Sequence, residues 1–181
     1  MSAVMIDLET MGTSPNAVIL TLGAIKFDPY SLKEPGPGLY FKLDVDAQLK
    51  LGRTIDESTL EWWAKQDVAV RDEAFGEDNR TSIHIVLSDL NKFVVGADTI
   101  WAQGPIFDIV MLESLMSQMQ RPVPWHFYQI RDSRTLFGLG WDPRNEIKTD
   151  AHNALADAYY QSVSVQKVYD KLKPVYADIK K

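Results

Sequence analysis

Two carboxylates at the end of the first apolar run constrain this chain more than any other feature. The run is Val4-Met5-Ile6-Asp7-Leu8-Glu9-Thr10. Residues 3–7 read as a short buried strand, and successive strand side chains alternate between faces. Asp7 and Glu9 therefore point to the same face. A carboxylate on a buried face is costly unless something pairs with it. A bound cation is the simplest partner, and hard oxygen ligands favour Mg²⁺ or Mn²⁺. The bland alternative is that Asp7 caps the strand end and Glu9 is solvated.

Two further acidic segments follow in order. Asp108 closes a second apolar patch, Trp101-Ala102-Gln103-Gly104-Pro105-Ile106-Phe107-Asp108. It stands at the start of an expected helix, where the dipole alone would favour a carboxylate. The third segment is His152-Asn153-Ala154-Leu155-Ala156-Asp157. A spacing of five on an ideal helix separates two side chains by well over a quarter turn. This puts His152 on the entry loop and Asp157 inside the helix, both facing one cleft. A loop histidine suits a general base; a surface or capping histidine is the ordinary alternative. Taken together, Asp7, Glu9, Asp108 and Asp157 can ligate two divalent metals. Two such metals about 4 Å apart can cut a phosphodiester bond, with His152 taking the proton of the attacking water.

Along the chain, Ser14-Pro15-Asn16 is a turn, residues 17–27 a second strand, 28–38 a hairpin loop and 39–43 a third strand. Thr54 or Asp56 is expected to cap a helix through Leu60, Trp63 and Ala64. Thr81 and Ser82 are expected to cap another, with Ile83, Val86, Leu87, Leu90, Phe93 and Val94 at helical spacing. Residues 99–102 read as a strand. Residues 106–119 read as a helix with Ile109, Val110, Leu112, Met116 and Met119 inward. Residues 127–130 read as a last strand. The final helix is expected over 153–173, with Leu155, Ala158, Val165, Val168 and Leu172 inward and Pro174 as its stop. An antiparallel meander followed by helices alternating with short strands predicts an α/β layered fold with a mixed sheet.

The 181 residues read as one domain, 1–181, with the apolar share (45%) and charged share (24%) of an ordinary soluble globular protein. Without cysteine there is neither a disulfide framework nor a thiolate metal site. No run is expected to span a bilayer and no basic-plus-apolar leader opens the chain, so no membrane partner is expected and the cytoplasm is the expected location. A net charge of −6 argues against an electrostatic grip on a long duplex. It fits an enzyme that holds a few terminal nucleotides through bound cations, which supply positive charge locally.

The order Asp-x-Glu, Asp, His-x-x-x-x-Asp resembles the DEDDh group of 3′–5′ exonucleases in the ribonuclease H-like (DnaQ-like) superfamily. Asp7-Leu8-Glu9-Thr10 matches the first motif, Phe107-Asp108 the second, and His152 with Asp157 the third. The resemblance spans residues 4–157. It implies a central mixed sheet whose first three strands are antiparallel, flanked by helices. It also implies metal ligation of two Mg²⁺ (or Mn²⁺) ions by Asp7, Glu9, Asp108 and Asp157, with His152 as general base. The implied substrate is a single-stranded 3′ end, released as nucleoside 5′-monophosphates. Thr10, Met11 and Gly12 would touch the terminal nucleotide, and Phe107 would pack near its base or sugar. Where many relatives read His-Asn-x-x-Phe-Asp, this chain has Gln103-Gly104-Pro105-Ile106-Phe107-Asp108.

The length, the doublet Trp62-Trp63 and the segment Arg131-Asp132-Ser133-Arg134-Thr135 look most like the small stand-alone exonucleases of phages and bacteria. Neighbours on a helix point about 100° apart, so one tryptophan can be core while the other stacks on a base. Both as core is the alternative. Arg131, Arg134 and Arg144 are candidates for phosphate contacts or for a solvated surface. DNA is slightly favoured over RNA. An exoribonuclease of the same family, a catalytically inactive nucleic-acid-binding protein on this fold and a two-metal endonuclease are the rivals. The family admits a homodimer.

Overall fold

The computed structural model describes residues 1–139, 142 and 152–179. Its first three strands, β1 (Ala3–Thr10), β2 (Ile19–Phe27) and β3 (Gly38–Leu43), form the expected antiparallel meander. Three short strands extend the sheet in parallel: β4 (Arg80–Thr81) beside β3, β5 (Thr99–Ala102) beside β1, and β6 (Ile130–Asp132) beside β5. The resulting order is β4-β3-β2-β1-β5-β6. The helices are α1 (Val45–Lys50), α2 (Glu57–Trp63), α3 (Val68–Phe75), α4 (Ile83–Val94), α5 (Asp108–Gln118), α6 (Ser133–Phe137) and α7 (Ala154–Ile179). This mixed sheet flanked by helices is the fold class read from the sequence.

Alternation along β1 divides the core in two. Val4, Ile6 and Leu8 face α4 and α5, joining Val86, Leu87, Leu90, Ile109, Leu112 and Leu115 in one cluster. Ala3 and Met5 face the other way and pack with Ile25, Phe27 and Trp101 beneath Ala158, Val165 and Val168 of α7. Asp7 and Glu9 continue this second face. It is apolar at the start of the strand and acidic at its end. The apolar middle of α7 covers the first part, which brings the first turns of the helix over the acids.

Gly23 makes that approach possible. It pairs with Asp7 across the sheet, and a Cβ placed on it would lie 2.2 Å from the backbone of Ala154. No side chain fits between β2 and the first residue of α7. Asn153 caps the helix there, its Oδ1 accepting the Ala156 N–H at 3.1 Å.

Three expectations need correction. Residues 127–129 form a 3₁₀ turn and not strand; pairing begins only at Ile130. The Gln129 side chain is the cause: its Oε1 accepts the His126 N–H (2.8 Å) and its amide donates to the Ala97 carbonyl (2.9 Å), closing a turn that leaves Phe127 and Tyr128 exposed. Val110 is 37% exposed while Met111 and Leu115 are fully buried; Ile109, Leu112 and Met116 are buried as expected, so the inward face of α5 differs from the reading at Val110. Helix α7 passes Pro174 and ends at Ile179; an interior proline costs a helix about 3 kcal/mol, a penalty that does not by itself end a helix. Short α1, α3 and α6 carried no legible periodicity.

Substituting Gly23→Ala is expected to push α7 off the sheet. Overpacking of this kind costs about 1–3 kcal/mol, roughly 2–12 °C in melting temperature for a domain of this size. Thermal denaturation checks it, and an unchanged melting temperature would contradict the close-approach argument.

Candidate active site

Three elements deliver the four acids to one place. Asp7 and Glu9 come from the end of β1, where a register irregularity between Glu9 and Thr10 bends the strand. Asp108 is the first residue of α5, and its Oδ1 accepts the backbone N–H of Leu8 at 3.2 Å. That bond ties the helix start to the strand between the two β1 acids. Asp157 lies in the first turn of α7, and its Oδ2 accepts the backbone N–H of His152 at 2.9 Å. One turn further along α7, Gln161 donates from Nε2 to Asp7 Oδ1 at 2.8 Å.

Burial raises the pKa of every one of these acids, and neighbouring carboxylates add to the effect at Asp7 and Glu9. Asp7 is held well above the ordinary carboxylate range, first by desolvation and then by Asp108, Glu9 and Asp157, with the Gln161 bond opposing. Glu9 is pushed up to about 8, by desolvation and then by Asp157 and Asp108. Asp108 rises to about 7 through burial, against the Leu8 N–H, its own N–H and the charge of Arg134. Asp157 is raised by burial and moderated by His152. Four neighbouring carboxylates that all resist ionisation make a pocket that calls for added positive charge.

The residues present fit a hard divalent cation. One oxygen each of Glu9 and Asp157 and one ring nitrogen of His152 lie within 4.8 Å of one another. The Oε1 atoms of Gln161 and Gln103 are buried acceptors with no donor among the described residues. Oxygen donors of this kind match Mg²⁺ or Mn²⁺.

His152 precedes the helix, as expected, with φ at 69° in the left-handed region. Its ring meets that of Trp62 edge-on at 4.9 Å. The two tryptophans divide their work. Trp63 is buried, donates from Nε1 to the Thr10 carbonyl (2.8 Å) and packs on Phe75. Trp62 is 42% exposed and supplies a free face beside His152. Together with Glu9, Thr10, Thr59 and Phe107 they line an open groove of about 420 Å³, in which Glu9 represents the acid cluster.

Met11 and Gly12 do not form part of that groove's wall. Met11 packs against Leu20, Trp63 and Ala74. Gly12 is tucked against Asp56, whose carboxylate accepts the Thr13 N–H at 2.8 Å. Asp56 precedes α2 but spends its side chain on this loop and not on the helix. Arg53, buried, braces the same loop by donating to the backbone carbonyls of Ala17 (2.8 Å) and Pro15 (3.2 Å), and donates also to Gln118 Oε1 (2.9 Å).

Arg134 acts on the acids: its charge reaches Asp108, and its Nη2 donates to the Gln103 carbonyl at 3.1 Å. Arg131 donates to the Tyr128 and Ile130 carbonyls. Arg144 lies outside the described residues. Asp132 is structural, capping α6 through the Arg134 N–H (2.9 Å) and accepting from Thr135 (2.9 Å). Two site residues were missed in the sequence. Gln161 was visible as the i+4 partner of Asp157. Gly23 gave no local signal.

Residues 2–169 match the Rv2179c-like 3′–5′ exoribonuclease domain. The chain belongs to this family. An exodeoxyribonuclease of Enterobacteria phage T4 is 30% identical over 129 residues, 64% of this chain and 56% of the phage protein. Among solved structures, the zinc-bound complex of E. coli exonuclease I with single-stranded DNA superposes with a TM-score of 0.66 at 17% identity, over 98% of this chain and 42% of that one. The nuclease domain of 3′hExo, a DEDDh protein bound to rAMP, gives 0.54 at 14% identity, over 93% and 92%. These structures establish the ribonuclease H-like DEDDh fold. The chain spans little more than half the length of the phage relative. Among the described residues, no helix is long and apolar enough to cross a membrane.

The raised carboxylates fix the sign of a pH effect. Glu9 binds its proton more tightly when folded (about 8) than when unfolded (4.5). Its favourable contribution is complete below the unfolded value and is lost as pH rises through the folded one. Asp108 acts likewise between 3.8 and about 7. In EDTA the melting temperature is therefore expected to fall from mildly acidic to mildly alkaline pH, and Mn²⁺ to restore it at the alkaline end. Glu9→Gln should flatten the slope. A metal-free protein that gains stability across this window would contradict the assignment.

Proposed function

We propose that this chain is a metal-dependent 3′–5′ exonuclease that removes nucleoside 5′-monophosphates one at a time from single-stranded 3′ ends. The observation that carries the reading is the convergence of Asp7, Glu9, Asp108 and Asp157, all with raised pKa, around an aromatic-lined groove whose wall includes Glu9, in a chain of this family. The four acids would hold a pair of Mg²⁺ or Mn²⁺ ions. When bound, such ions supply charge stabilisation to the phosphodiester and help form the nucleophile.

This chain's own residues do the rest. Phe107 and the exposed face of Trp62 receive the terminal nucleotide, since stacking tolerates any base. Thr10 and Trp63, joined through the Thr10 carbonyl, form the rigid floor of the groove. His152, next to Asp157, takes a proton from the attacking water. The water oxygen then bonds to phosphorus and the 3′-oxygen of the penultimate nucleotide leaves. Cutting one terminal bond at a time needs no long basic groove, which is consistent with the net charge of −6.

DNA is proposed as the better substrate, supported by the phage exodeoxyribonuclease relative. The family description favours RNA and keeps an exoribonuclease as the second reading. The sugar discriminates the two, because only RNA offers a 2′-hydroxyl to the groove.

Matched 5′-labelled and 3′-labelled single-stranded DNA and RNA oligonucleotides test both. The expected result with Mg²⁺ or Mn²⁺ is immediate release of the 3′ label as mononucleotide, a descending ladder from the 5′-labelled strand and no cutting in EDTA. A binding protein would leave both polymers intact, and an endonuclease would ignore a 3′-terminal phosphate block. Asp7→Ala should abolish turnover with the fold retained; a normal rate would remove Asp7 from the site. His152→Ala should slow turnover about 100-fold or more with Mn²⁺ binding preserved, whereas loss of binding would make the ring a ligand.

A further inference from the structure

We propose that Gln161 is a positioning residue of the metal site, fixing the Asp7 carboxylate and accepting a hydrogen bond from the hydration shell of the cation. The proposal rests on the reading of the four acids as cation ligands.

The geometry starts on α7. Asp157 and Gln161 are four residues apart, so both side chains emerge on the face that covers the end of β1. The close contact of Ala154 with Gly23 fixes the height of that face above the sheet. Gln161 is 8% exposed, and its Nε2 reaches Asp7 Oδ1 at 2.8 Å. The amide turns its NH₂ toward Asp7, which sets the direction of its carbonyl. That carbonyl oxygen is buried and has no donor among the described residues.

A buried amide oxygen without a donor is costly in any protein. The oxygen shares its carbon with the nitrogen that bonds to Asp7, so it lies beside the acids. Water carried by a divalent cation would donate to it. Partners of this kind around metal ligands are typically worth roughly 10- to 100-fold in metal affinity or activity.

A purely structural role is the competing account, and the two separate experimentally. The test measures Mn²⁺ binding by isothermal titration calorimetry, and the melting temperature in EDTA, for the full chain and for Gln161→Met and Gln161→Asn. Methionine keeps the length and loses both polar contacts; asparagine keeps the amide and is too short to reach. For any variant that keeps its EDTA melting temperature, the proposal expects Mn²⁺ affinity roughly 10- to 100-fold weaker. Unchanged affinity in such a variant overturns it. A large fall in EDTA melting temperature for both variants also overturns it, because Gln161 is then a structural strut. Failure of the unsubstituted chain to bind Mn²⁺ is a different result: it brings down the metal-site reading itself.

Discussion

Four carboxylates share one pocket at the end of β1, and the rest of the structure is arranged around the cost of keeping them there. Each charged form is disfavoured by burial, and those of Asp7 and Glu9 also by neighbouring carboxylates. A stability-optimised core would place apolar groups at these positions, as β1 does two residues earlier at Met5. The strand passes from a sealed apolar face to an acidic one within a single period of alternation. The lid over both halves is one helix, α7, whose apolar middle pays for docking its polar start.

That docking is decided by backbone shape. Gly23 opposes Asp7 and admits the Ala154 backbone to a distance that no side chain would allow. The same contact sets Asp157, His152 and Gln161 over the strand end. On the other flank, the Leu8 N–H holds Asp108 and the Thr10 carbonyl holds Trp63. Backbone groups of β1 thus orient two of the surrounding elements directly. The strand is both the source of two acids and the gauge against which the others are set. The loop after it is braced from beneath by Arg53 and Asp56, so the groove has a firm wall beside an exposed tryptophan.

Much of the architecture was legible in the chain because its signals are local. The meander followed from two apolar runs and a proline-bearing loop between them. Helices α4, α5 and α7 followed from periodicity, and the three acidic motifs from their order and spacing. The errors have equally physical causes. Residues 127–130 read as a strand, but the Gln129 amide closes a turn on His126 and Ala97. Val110 and Met111 are equally apolar neighbours, so composition could not say which of the two joins Ile109, Leu112 and Met116 inside; packing did. Short helices such as α3 have too few turns to show a period.

The sequence by itself determined which residues are chemically able to act: two acids on one strand face, a third at a helix start, and a fourth inside a helix behind a histidine. Alternation and helical pitch are properties of a few consecutive residues, so they can be read without the fold. Tertiary structure alone decided how far the acids are desolvated and which of two adjacent tryptophans keeps a free face. It also decided that a glutamine 154 positions from Asp7 would bind it. Those outcomes depend on contacts between segments distant in the chain, set by how closely α7 can approach β2 at Gly23, and no local pattern of residues encodes that distance.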